Sequence, residues 1–410
     1  MIKKRVFERL NKSLKEKKPL ELLVKTNFSS KERVIRALSK HSIKTHDFRF
    51  IPWFYIKLPG KKAIEFVTAV LKSEEHNSEF YDEIKEVLSL IKKIDVPGKV
   101  RKLDYSIGYE IPSSSLTKEL VRDRLTRKIQ TEYWNLKAIH SIEANKISVG
   151  SGIKVGVIDT GIDYEHEELK ERFSEEKGYD FIKEDNDPYD LNGHGTHVAG
   201  IITGKSVGVA KEVQLYALRV LDEEGAGSEV DVMRAVEWSL EEKLDIINLS
   251  LGSPESTEAF EDLCYYAFNN GLLIIAAAGN EGFGIEYPAG YDGVIAVTAV
   301  TEGLRHAYFS NIAETNDIAA PGVNVLSSFP NNTYEVLSGT SMATPHVTGA
   351  MAVLKSLLES RGESARPSEL EEIMKGTTQA LKNTTEYPYE YVFGSGLLRV
   401  DKMVLSGTRQ

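Results

Sequence analysis

The sequence predicts a two-part α/β protein, with a small α+β domain in front of a larger domain built on a parallel β-sheet sandwiched by helices. Three observations carry the prediction. Residues 153–158, 213–220, 246–251, 272–278 and 294–300 are short, nearly continuous apolar runs, the pattern of strands covered on both faces. Helical patterns at 230–242, at 258–269 and following His194 and Ser341 separate most of these runs, which puts helices on either side of one sheet. Residues 20–110 instead have the order β-α-β-β-α-β with one added helix. With 410 residues, 41% hydrophobic and 27% charged, the chain has material for two or three domains with ample cores.

In the front part, strands are expected at 20–25, 45–50, 53–58 and 100–110, helices at 30–40 and 61–71, and a charged inserted helix at 79–94. Residues 1–111 thus read as one domain. Residues 112–131 are polar and basic after Pro112 and read as an exposed connector, and 132–410 as the larger domain. Charge is divided unevenly: residues 1–130 hold 30 Lys and Arg against 17 Asp and Glu, and residues 131–410 hold 21 against 44. The front charges interleave with apolar periodicity and match no nucleic-acid-binding motif. The expectation is a basic domain docked on its own acidic partner, with no nucleic acid involved.

The N-terminus has no apolar run of seven or more residues and no small-residue cleavage site, and no stretch has the length of a membrane span. A single cysteine, Cys264, rules out an internal disulfide and agrees with a reducing compartment. A cytoplasmic protein without membrane association is therefore expected. Cys264 shares the apolar side of the 258–269 helix with Phe260, Leu263, Ala267 and Phe268, so it reads as a core thiol.

The polar motifs fall at the ends of the predicted strands and helices, where open α/β sheets carry their sites. Asp159 ends the first strand, within VIDTGID. His194 and His197 open a helix in NGHGTHVAG; with no HExxH arrangement and no nearby Cys, a general base fits better than zinc. Asn280 comes after a strand in AAAGNEG and can point its amide into the cleft. Ser341, in SGTSMATPHVTG, lies near a helix N-terminus, where a lone serine is usually a cap. Taken together, a carboxylate, an imidazole, a hydroxyl and an amide donor supply what acyl transfer needs. Serine is too weak an acid to attack an amide unaided, so His194 takes its proton and Asp159 orients the imidazolium. Nothing required for the chemistry is missing, which argues against a silent peptide-binding scaffold.

Asp159-Thr160-Gly161, His194-Gly195-Thr196-His197 and Gly339-Thr340-Ser341-Met342-Ala343, in that chain order, resemble the three signature blocks of the subtilisin-like serine proteases, or subtilases. The similarity runs from about Tyr133 to Leu405, and the front domain resembles the family's ferredoxin-like inhibitory propeptide. The resemblance implies a serine endopeptidase with Ser341 as nucleophile, His194 as base and then acid, Asp159 as its orienter and Asn280 as oxyanion-hole donor, needing no cofactor for catalysis. It implies protein or peptide substrates, bound as an added strand between Gly225-Ala226-Gly227 and Ser250-Leu251-Gly252, with Ala277 and Gly279 beside them. His197 matches the family's second, non-catalytic histidine.

Departures from the family pattern add further expectations. The short Thr203–Gly208 segment lacks a carboxylate, so the family's tight calcium loop is absent there. The acidic run at 183–192, with Glu184, Asp185, Asp187, Asp190 and Asn192, offers oxygen ligands suited to a structural Ca²⁺, and Asp317 resembles a residue near a weaker cation site. Glu286 falls where relatives carry a small residue at the base of the pocket for the side chain before the scissile bond, which favours Lys or Arg there. The front domain is expected to act as a tethered inhibitor released by self-cleavage between about 111 and 133.

Overall fold

The computed structural model describes residues 2–41, 43–72, 78–104 and 133–406. In the front domain, β1 (Leu20–Lys25), β2 (Lys44–Asp47), β3 (Trp53–Leu58) and β4 (Lys93–Asp95) form an antiparallel sheet in the order β2-β3-β1-β4. Period-two alternation divides its side chains between two jobs. Leu20, Leu22, Val24, Phe54, Ile56 and Leu58 pack against the domain's own helices. Leu23, Trp53 and Tyr55 point the other way and join the core of the large domain.

Two elements differ from expectation. Ile2–Glu16 forms an amphipathic helix that buries Val6 and Leu10 one turn apart, in a stretch for which no helix is expected from the sequence. The fourth strand of the sheet is Lys93–Asp95 rather than 100–110, because Pro97 and Gly98 break the chain after Val96. The next strand, β5 (Lys99–Lys102), leaves the front sheet altogether. The expected connector at 112–131 lies outside the described residues.

The large domain holds a seven-stranded sheet of β6 (Lys154–Asp159), β7 (Gly178–Asp180), β8 (Gln214–Arg219), β10 (Ile246–Leu249), β12 (Leu273–Ala277), β13 (Val294–Val300) and β14 (Ile318–Pro321). Its order is β14-β13-β12-β10-β6-β8-β7, with every pair parallel. The helices His194–Thr203 and Thr340–Ser360 cover one face and Glu229–Glu241 and Glu258–Asn269 the other. Chain order reverses between β6 and β10, so the carboxyl ends of β6, β10 and β12 stand side by side at the switch point of the sheet. The apolar run expected at 246–251 is broken after Leu249, and Leu251–Gly252 becomes β11, a separate two-residue strand outside the core sheet. β15 (Val325–Phe329) and β16 (Thr333–Leu337) form a hairpin beside the His194–Thr203 helix.

The front sheet rests on the Glu229–Glu241 and Glu258–Asn269 helices, and the charge asymmetry is spent in that contact. Lys25 Nζ donates to Glu258 at 2.6 Å and Asp262 at 3.0 Å, Lys93 also pairs with Glu258, and Arg5 and Arg9 reach Glu255 at 3.4 and 3.8 Å. Arg49 pairs with Glu241 at 2.5 Å, and the Trp53 indole N–H donates to Asp262 at 2.9 Å. In each of these ion pairs the front domain supplies the cation and the large domain the carboxylate.

Candidate active site

Asp159 ends β6 fully buried, and its Oδ1 accepts from His194 Nδ1 at 2.7 Å and from the Thr160 N–H at 2.7 Å. With Nδ1–H committed to the carboxylate, the other ring nitrogen, Nε2, is the one free to accept a proton. It is buried and has no hydrogen-bond partner. Burial alone would lower the imidazole pKa, but the charge and hydrogen bond of Asp159, with a contribution from Asp104, outweigh it and raise the value above 6.5. His197, one turn along, gives its Nε2 to the carbonyls of Val325 and Glu335 at 3.1 and 3.0 Å. Burial holds it neutral, with a pKa of about 3, so it ties the helix to the β15–β16 hairpin.

Ser341 is buried in the first turn of the Thr340–Ser360 helix. The N-cap is Gly339, not Ser341, so the ordinary reading of a serine at a helix start is removed. Gly339 has φ 153°, and a Cβ there would stand 2.6 Å from the Leu103 carbonyl oxygen; only glycine fits. Ser341 Oγ donates to the Ser250 carbonyl at 2.8 Å rather than to His194. Asn280 sits opposite, and its amide orientation is fixed from behind: Oδ1 accepts from the Thr340 N–H at 3.0 Å and from Thr340 Oγ1 at 2.8 Å. The Nδ2 group is thereby turned into the cleft.

The cleft is filled by the protein's own chain. β5 lies between β9 (Ala226–Ser228) and β11 as the middle strand of a small antiparallel sheet, with Val100 opposite Gly227 and Lys102 opposite Leu251. Lys102 N–H donates to Gly225 O at 3.0 Å, and Leu103 N–H to Ser250 O at 3.2 Å. Gly225, Ala226, Gly227, Ser250, Leu251 and Gly252 thus flank an extended segment of the protein's own chain. The Leu103 carbonyl oxygen accepts from Asn280 Nδ2 at 2.6 Å and from the Ser341 N–H at 3.1 Å. Two donors on one carbonyl oxygen beside a buried hydroxyl is the geometry that stabilises an oxyanion.

Other expected residues behave differently. Ala277 ends β12 inside the sheet, while Gly279 backs onto Glu286. Glu286 is buried at 3% exposure and accepts from Arg101 Nη2 at 3.2 Å rather than facing an open pocket. The 183–192 residues do not share one donor set. Asp190 is fully engaged: its Oδ1 accepts from Thr160 Oγ1, Asn192 N–H and Gly193 N–H, and its Oδ2 from the Thr196 N–H and Oγ1. Asp187 accepts from the Tyr164 hydroxyl, Asp185 from the Asp187 N–H, and Asn192 Oδ1 from the His194 N–H. Among the described residues no group of three His, Cys, Asp or Glu is placed to hold a metal ion. Asp317 is paired with Lys375 at 2.7 Å, a cation the chain itself supplies. Cys264 is fully buried, as a core thiol should be. Sequence reasoning missed Leu103 itself, the role of Thr340 in aiming Asn280, and Glu281; the Pro97-Gly98 break before VRKL was the one available signal.

Fold and site define a serine hydrolase that binds extended peptide. The subtilase family, peptidase S8, matches residues 150–396, and the chain belongs to that family: it is a subtilisin-like serine endopeptidase. It is 38% identical over 274 residues to Subtilisin DY of Bacillus licheniformis, a match covering 63% of this chain and 95% of that protein. Subtilisin Savinase of Lederbergia lenta is 38% identical over 279 residues, 66% of this chain and 98% of its own. The Thermostable alkaline protease of Halalkalibacterium halodurans is 43% identical over 234 residues, 55% of this chain and 63% of that protein. These similarities correct the cytoplasmic expectation: the related subtilisins are secreted, extracellular enzymes. A lone, fully buried Cys264 suits an oxidising compartment as well as a reducing one.

Proposed function

We propose that this endopeptidase is a self-inhibited precursor that cuts its own Leu103–Asp104 bond, with Ser341 as nucleophile, His194 as base and then acid, Asp159 as the group positioning the imidazole, and Asn280 with the Ser341 N–H as oxyanion donors. The observation that carries this reading is the Leu103 carbonyl held between Asn280 Nδ2 and the Ser341 N–H. On this reading the self-cleavage falls upstream of the stretch between 111 and 133 expected from the sequence.

In the reaction Ser341 Oγ turns from the Ser250 carbonyl to His194 Nε2, gives up its proton there and attacks the Leu103 carbonyl carbon. Negative charge collects on the carbonyl oxygen, where the two N–H donors already point. His194 then protonates the Asp104 nitrogen as the C–N bond breaks, leaving Leu103 as an ester on Ser341. Water, deprotonated by His194, hydrolyses the ester and restores both groups. The Leu103 carboxylate stays in the cleft, held by the β5 pairings and by the ion pairs of the front domain, and blocks it until the front domain leaves. Substrate proteins then occupy the same strand position.

A serine-directed phosphonate tests the assignment. It should label Ser341 in the processed protein and fail to label Ser341→Ala or His194→Ala. Equal labelling of the His194→Ala variant would overturn the base assignment.

A further inference from the structure

We infer that Glu286, helped by Glu281, forms a subsite for an arginine at the third residue before the scissile bond, so that the protease prefers Arg-X-Leu sequences rather than a basic residue next to the cut. The inference rests on the register proposed above, in which Leu103 is the residue before the bond.

Side chains two apart on an extended chain share a face, so Arg101 and Leu103 point to the same wall of the cleft. Leu103, 1% exposed, fills the space next to Gly252: a Cβ there would stand 2.9 Å from Leu103 Cδ1 and 3.1 Å from Glu286 Oε2. A Cβ at Gly279 would meet Glu286 Cγ at 2.7 Å, so the absence of side chains at both positions is what admits the glutamate. Leucine offers Glu286 no donor. The guanidinium of Arg101 does, with Nη2 at 3.2 Å from Glu286 Oε1 and 2.9 Å from Glu281 Oε1. Glu286 Oε2 is buried without a hydrogen-bond partner, so a second N–H would still be accommodated. A substrate without a cation at this position leaves the buried carboxylate unpaired, which is the unfavourable state. Glu281, 59% exposed, adds attraction at the rim but is screened by solvent.

The test uses the processed enzyme and internally quenched peptides of three kinds: Val-Arg-Lys-Leu, Val-Gln-Lys-Leu and Val-Gln-Lys-Lys before the cut, with cleavage positions read by mass. The Arg peptide should exceed the first Gln peptide by about tenfold in kcat/KM. In Glu286→Gln that ratio should fall to within about threefold, with an unchanged circular dichroism spectrum showing that the variant is folded; Glu281→Gln should lower the ratio less. Equal cleavage of the Arg and Gln peptides by wild type overturns the subsite and leaves the protease reading intact, as does a Glu286-dependent preference for the Val-Gln-Lys-Lys peptide. Absence of hydrolysis with Ser341 unlabelled overturns the catalytic reading and the subsite with it.

Discussion

The Leu103 side chain should be the main apolar anchor of the inhibitory strand, and its worth can be worked out. It is 1% exposed, in the position before the carbonyl held by Asn280 and Ser341. Replacement by alanine removes three carbons, and at about 0.8 kcal/mol per buried CH₂ the loss is roughly 2.4 kcal/mol, or about 60-fold in binding. The synthetic product peptide covering residues 97–103 and its Leu103→Ala counterpart should therefore inhibit the processed enzyme with Ki values differing by about 60-fold. Using product peptides avoids the processing step, in which Leu103 is bound equally before and during reaction and its loss would leave the rate unmoved. Ki values within about threefold of each other would refute Leu103 as the buried anchor of the strand.

Asn280→Ala removes one of two oxyanion donors and should lower kcat by about 10²–10³ with KM little changed, the scale known for an amide donor in a subtilisin. The acid limb of kcat/KM reports protonation of His194, whose pKa Asp159 raises; it should lie above pH 6.5 and move to lower pH in Asp159→Asn, at reduced activity. Lys25→Ala breaks the pairs with Glu258 and Asp262 and should speed dissociation of the front fragment by about tenfold, a difference that about 1 M salt narrows; surface plasmon resonance on the nicked protein measures it.

Periodicity and local chemistry determine what was legible in the sequence. Five strands of the core sheet were recognisable because burial on both faces forces apolar runs, which in the sequence extend over six residues or more. Asp159, His194, Asn280 and Ser341 stood out because each lies at the end of an element, where a polar residue has a free direction. β7 and β14 are three and four residues long, too short for a period to register. The fate of 99–103 was not local at all: VRKL reads as the last strand of the front domain, and only the empty edges of β9 and β11 draw it away. Glu286 could be placed from the neighbouring Tyr287-Pro288, but its ion pair with Arg101 depends on a strand whose placement the sequence did not reveal. Asp190 looked like a metal ligand because an acidic residue between polar neighbours has the same composition whether it binds a cation or, as here, accepts from backbone N–H groups and threonine hydroxyls.

The most direct test of the central claim is intact-mass analysis of the full-length protein after incubation, alongside Ser341→Ala. The proposed mechanism requires a front fragment whose last residue is Leu103 and a partner beginning at Asp104, both absent from the alanine variant. A first cut at another bond, or the same fragments from Ser341→Ala, would contradict it.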